Sequence, residues 1–140
     1  MAAGVLGLCL ALAAAPQHAA FVPGRHFTLA WTHSIEKVRW EEDYTVIGPP
    51  ARLIATTARI KGSAAGMEPP PDAVLRDGWF HYTPTERSPK HLPLTRSEFT
   101  ADFELCVDGT CQPMGRWLRS DGGVTEMTAC ESERRGTASR

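Results

Sequence analysis

The chain has 140 residues, a formal net charge of −1, a hydrophobic content of 42%, four Trp and four Cys. That length supports one domain with a modest core, and the apolar content excludes a disordered body. A near-neutral chain whose Lys and Arg form no stripe has no field for drawing in nucleic acid or an anionic membrane.

The first twenty residues, M-A-A-G-V-L-G-L-C-L-A-L-A-A-A-P-Q-H-A-A, hold an unbroken apolar run from Val5 to Ala15. The run is short for a membrane span but long enough for the core of an export signal, and small residues follow it. Residues 1–20 therefore read as a signal peptide or a retained N-terminal anchor, the latter being the chain's one expected contact with a membrane. The missing Lys or Arg before the run and Pro16 behind Ala15 leave the cleavage position open. Lipidation of Cys9 is not expected, because Leu8 stands where a small residue is needed. Export places the protein in the periplasm or another extracytoplasmic compartment, where disulfides persist.

From His26 to His33 the residues alternate, with Phe27, Leu29, Trp31 and His33 on one face. This is the pattern of a half-buried strand. A turn over Ser34–Lys37 leads to a second alternating set, Val38, Trp40, Glu42, Tyr44 and Val46, opposed by Glu41, Asp43 and Thr45. Gly48-Pro49-Pro50 ends it. Arg52–Lys61, rich in β-branched residues, predicts a third strand, and Gly62–Pro71 predicts a loop of free glycines and donor-less prolines. Asp77-Gly78 predicts a hairpin between Ala73–Arg76 and Trp79–Tyr82, and Thr83–Pro93 is a polar loop. Ser97–Cys106 alternates again, Phe99, Ala101, Phe103 and Leu105 facing inward.

Asp108-Gly109 turns that strand back into Cys111–Leu118 and sets Cys106 opposite Cys111 as a non-hydrogen-bonded pair. The geometry predicts a disulfide that closes a short loop for about 2 kcal/mol, with Cys130 left free or paired to a partner. The pattern fades after Ser120, and residues 131–140 read as a disordered, charged tail. No convincing helix follows the first segment. The expected fold is all-β, a small antiparallel β-sandwich or open barrel over residues 21–130.

The densest chemistry lies between Trp31 and Tyr44. His33 and Ser34 are adjacent, so in a strand they point to opposite faces and make no nucleophile–base pair; no G-x-S-x-G elbow surrounds Ser34. His33, Glu36, Glu41, Glu42 and His81 are suitable metal ligands in type, but their spacing fits no zinc or calcium pattern. Glu42 falls on the apolar face and calls for a partner, with Lys37, Arg39, Arg59 or His33 within plausible reach. The Gly62–Pro71 loop lacks the Lys and helix of a phosphate-binding loop. No catalytic centre, cofactor or metal is expected.

The stretches F-T-L-A-W-T-H-S-I-E-K-V-R-W-E-E-D-Y at Phe27–Tyr44, K-G-S-A-A-G-M-E-P-P-P-D-A-V-L-R-D-G-W-F-H-Y at Lys61–Tyr82, and L-P-L-T-R-S at Leu92–Ser97 resemble the bacterial domain-of-unknown-function family 1850. The family carries Thr-Pro where this chain has Val38-Arg39. The resemblance implies a small exported protein, commonly encoded beside the fused membrane component of tripartite (TRAP) transporters of the TAXI type, and it implies no catalytic mechanism. The expectation is a non-enzymatic accessory protein that binds the transporter's membrane component or its solute-binding protein. The alternative is a small-ligand or metal-binding β domain. Carried onto this chain, the signature gives His33, Ser34, Glu36, Lys37, Glu41 or Glu42, Gly66, Glu68, Asp77, Gly78 and Trp79; both glutamates are kept as candidate contacts, and Met67 joins them within its loop.

Overall fold

A computed structural model of the chain describes residues 4–32, 37–62 and 70–133. Eleven strands form among them: β1 Gly4–Leu12, β2 Ala15–Pro23, β3 His26–Thr32, β4 Arg39–Ile47, β5 Arg52–Lys61, β6 Val74–Arg76, β7 Trp79–Tyr82, β8 Leu92–Thr95, β9 Glu104–Val107, β10 Thr110–Pro113 and β11 Val124–Glu133. The first sheet has the order β2-β1-β11-β8 and the second β10-β9-β3-β4-β5-β7-β6, with every pairing antiparallel. One turn of 3-10 helix, Met114–Arg116, is the only helical element among the described residues.

The all-β sandwich follows from period-two patterning. Leu6, Leu8 and Leu10 from β1, Val22 from β2, Leu94 from β8 and Met127 from β11 meet Phe27, Leu29, Tyr44, Val46, Leu53, Ala55 and Leu105 of the second sheet in one core. Strand directions are set by turns whose chemistry is explicit. Asp77 (φ 55°) with Gly78 (φ 84°), and Asp108 (φ 50°) with Gly109 (φ 89°), take left-handed pairs, as the two-residue turns that match strand twist require. Thr110 then faces Val107 and Cys111 faces Cys106. The Cys106–Cys111 disulfide forms as expected, with Cα atoms 3.8 Å apart.

Several expectations are corrected. The segment read as an export signal forms strands β1 and β2 of the first sheet. Its apolar run hides an alternation: Leu6, Leu8, Leu10 and Leu12 face the core, while Gly7, Cys9 and Ala11 lie on the other face. A Cβ on Gly7 would meet the Val22 carbonyl and come within 2.9 Å of the Phe21 ring, so only glycine lets β2 lie this close. Cys130 is not free. It sits opposite Gly7, diagonal to Cys9, and the two are joined across β1 and β11 with Cα atoms 5.9 Å apart.

β11 is a central strand where fading pattern predicted none, and it runs past residue 130 to Glu133. Residues 134–140 of the expected tail lie outside the described residues. The strand predicted over Ser97–Cys106 shortens to one beginning at Glu104. Phe99, expected in the core, is 89% exposed at a turn. The strand predicted over Cys111–Leu118 ends at Pro113, where the 3-10 turn takes over.

Candidate functional site

The register of the second sheet brings its signature segments to one end. Thr32 pairs with Arg39 and Trp31 with Trp40; Trp40 pairs with Ile60; Lys61 pairs with Trp79; and the Gly62 N–H donates to the Gly78 carbonyl at 2.6 Å. The end of β3, the start of β4, the end of β5 and the β6–β7 hairpin turn therefore share one pole. His33, Ser34, Glu36, Gly66, Met67 and Glu68 lie outside the described residues, but the strands that lead into both of their segments end side by side. At this pole Lys37 is exposed with φ 61°. The Lys61 ammonium lies 5.1 Å from the centre of the Trp79 ring, a cation–π contact.

Alternation along β4 sends consecutive acids to opposite faces. On the outer face Glu41 accepts from Arg39 Nε and Arg59 Nε, both at 2.7 Å. Arg39 Nη2 also donates to Glu104 at 2.9 Å. Asp43 accepts from Arg59 Nη1 at 2.7 Å, Thr28 Oγ1 at 2.6 Å and Thr57 Oγ1 at 2.7 Å. Burial alone would raise the Asp43 pKa, but the hydrogen bonds from Arg59, Thr28 and Thr57 and the charge of Arg59 together hold it below the usual carboxylate value. Hydrogen bonds to Glu104 and Glu41 raise the Arg39 pKa, and one to Asp43 leads the rise at Arg59. The ladder is an ionic lattice in which two guanidiniums link three carboxylates.

On the inner face Glu42 takes a partner that the sequence reading did not name. It is neither Lys nor Arg: the Tyr44 hydroxyl donates to Glu42 Oε1 at 2.5 Å. Burial, then the charge of Glu42 and that hydrogen bond, push the Tyr44 phenol far upward; burial and Glu42 push Tyr82 up to about 12. Beside this pair Trp31 stacks on Trp40 with ring centres 5.8 Å apart and meets Phe103 at the same distance, tilted by 51°.

Sequence reasoning missed Arg96. Leu92, Leu94 and Arg96 continue one face of β8, and Arg96 is only 2% exposed. Its Nε and Nη2 donate to Asp102 at 3.0 and 2.9 Å, and its Nη1 donates to Thr125 at 3.1 Å. Asp102 also accepts the Phe103 and Gly115 N–H groups at 2.9 and 2.8 Å. The available signal was an Arg at an inward period-two position, six residues before an Asp, inside L-P-L-T-R-S. The pair clamps both ends of the 97–101 loop.

Two clefts flank that loop. One, of about 390 Å³, is lined by Arg96, Ser97, Glu98, Asp102, Ser120 and Asp121 among others. The second, of about 290 Å³, lies between Trp31, Thr32, Thr95, Ser97, Thr100, Ala101 and Phe103, at the end of β3. Among the described residues no group of three His, Cys, Asp or Glu side chains is placed to hold a metal ion. No described helix is long and apolar enough to cross a membrane.

A family model, described as a domain of unknown function (DUF1850), matches residues 27–114. No curated protein matches the chain, and no solved structure does.

Proposed function

The chain belongs to the DUF1850 family, and on that footing we propose that it is a non-enzymatic accessory protein of a TAXI-type TRAP solute transport system, acting outside the cytoplasm by binding the transporter's membrane component or its solute-binding protein. One observation carries the reading: segments far apart in sequence, 33–36 and 63–69, spring from strand ends that meet at one pole of the second sheet. Segments carried by neighbouring strand ends suit a binding role, since binding residues concentrate in connections positioned by a sheet. The transport association comes from the family resemblance. The two disulfides fit an oxidising compartment.

Purified chain is mixed with the detergent-solubilised membrane component, and separately with the solute-binding protein, and association is measured by biolayer interferometry. Binding to either is expected, weakened at least about tenfold by Lys37→Glu combined with Trp79→Ala, the reversal of a charge and the loss of an aromatic anchor. Absence of binding to both, or equal binding by the variant, overturns the proposal. A second reading, a small-ligand-binding domain, is favoured by the cleft beside Trp31.

A further inference from the structure

We infer that the cleft between the β3 end and the 97–101 loop is a binding site for a single uncharged, polyhydroxylated ring, a neutral monosaccharide, with Trp31 as its platform. The inference rests on reading the signature pole as the protein's binding end, which this cleft adjoins through Thr32.

Three features point to that class. Trp31 and Phe103 both line the cleft, their ring centres 5.8 Å apart and their planes inclined by 51°, an angled apolar surface for the C–H groups of a sugar. Four hydroxyl-bearing residues, Thr32, Thr95, Ser97 and Thr100, also line the cleft, and a hydroxyl can donate and accept, as sugar hydroxyls demand. The 97–101 loop that supplies two of them is preorganised: Ser97 Oγ accepts the Phe99 N–H at 3.0 Å, and the Arg96–Asp102 pair closes its base.

Charge argues against an organic acid. None of the described lining residues is charged. The neighbouring guanidiniums are committed, Arg96 to Asp102 and Thr125, and Arg39 to Glu41 and Glu104. A bound carboxylate would find no described counter-ion here. A volume of about 290 Å³ sits at the bottom of the range for small-molecule sites, so one ring fits.

The test is titration of the full chain with glucose, galactose and mannose, followed by tryptophan fluorescence and by saturation-transfer NMR, with glutamate and benzoate as anionic comparators. At least one sugar is expected to saturate while both anions fail. Thr32→Val and Thr100→Val should each weaken that sugar about fivefold, the loss expected of one hydrogen bond, with unchanged thermal midpoints. Three results overturn the inference: no saturable response to any of the sugars from folded protein, saturation by an anion in their place, or unaltered affinity in both valine variants. Association with the transport components is read separately. Sugar binding that fails while docking persists sinks only this inference, and the reverse sinks only the docking proposal.

Discussion

Arg96 carries a full positive charge into the sandwich, where desolvation makes an unpaired ion costly. Its two-pronged contact with Asp102 and its third bond to Thr125 meet that cost. Arg96→Ala should therefore lower stability by about 3–5 kcal/mol, since it strands a carboxylate that also organises two backbone N–H groups. Urea denaturation measures this. Arg96→Met with Asp102→Asn should cost less than the sum of the single changes; strict additivity would show that the two do not act as a pair. The tyrosines give a sharper spectroscopic expectation, because the chain has only two. Tyr44 and Tyr82 both have folded pKa values raised above that of an unfolded tyrosine. The stability they contribute is complete below about pH 10, the unfolded value, and is lost as pH rises toward their folded values. Absorbance at 295 nm should stay flat through that value and then rise together with unfolding; a free transition centred there would contradict the Tyr44–Glu42 contact. Asp43 works in the opposite sense. Its depressed pKa stabilises the fold above the unfolded carboxylate value, about 3.9, and that contribution fades as pH falls through the lower folded value. Arg59→Met should flatten this acid limb in pH-dependent denaturation.

Among the elements, β1 shows what patterning reveals and what it hides. Leu6, Leu8, Leu10 and Leu12 are core residues at strict period two, yet the residues between them are Gly, Cys and Ala, so the stretch also reads as an export signal. Hydrophobicity and periodicity compete there, and tertiary pairing with β2 and β11 decides. β11 was obscure for the converse reason. Its core-facing positions include Thr125, Met127 and Ala129, with only one large apolar side chain, because the leucines of β1 fill the space beside it. The hairpins at Asp77-Gly78 and Asp108-Gly109 were legible since the turn dictates its own residues. Of the candidate site, Lys37, Glu41, Glu42 and Trp79 are placed by the strands around them, whereas the Arg96–Asp102 clamp needed a three-dimensional partner to become visible. Leu10→Ala, fully buried at the middle of β1, should cost about 2–5 kcal/mol; a change near zero would mean that this strand is not part of the core.

For the molecule as a whole, the two disulfides have unequal weight. Cys9–Cys130 joins the first strand to the last across a separation of 121 residues, whereas Cys106–Cys111 spans five. On loop-closure entropy the long link contributes about 4–5 kcal/mol and the short one about 2. Cys9→Ser with Cys130→Ser should therefore depress the thermal midpoint more than Cys106→Ser with Cys111→Ser; an equal or reversed order would tie the difference to something other than chain constraint.

The antiparallel match of Gly4 with Glu133 has a further consequence for how the protein can be handled. The Gly24 N–H reaches Leu6, tying the entry to β3 to that same region, while Thr95 on the first sheet meets Trp31 and Thr32 far along it. Gly4 and Glu133 thus lie at the side opposite the signature pole. A fluorophore, a surface linker or a fused polypeptide attached at either one would hang from the back of the sandwich, leaving Lys37, Trp79 and the aromatic cleft turned outward and unobstructed.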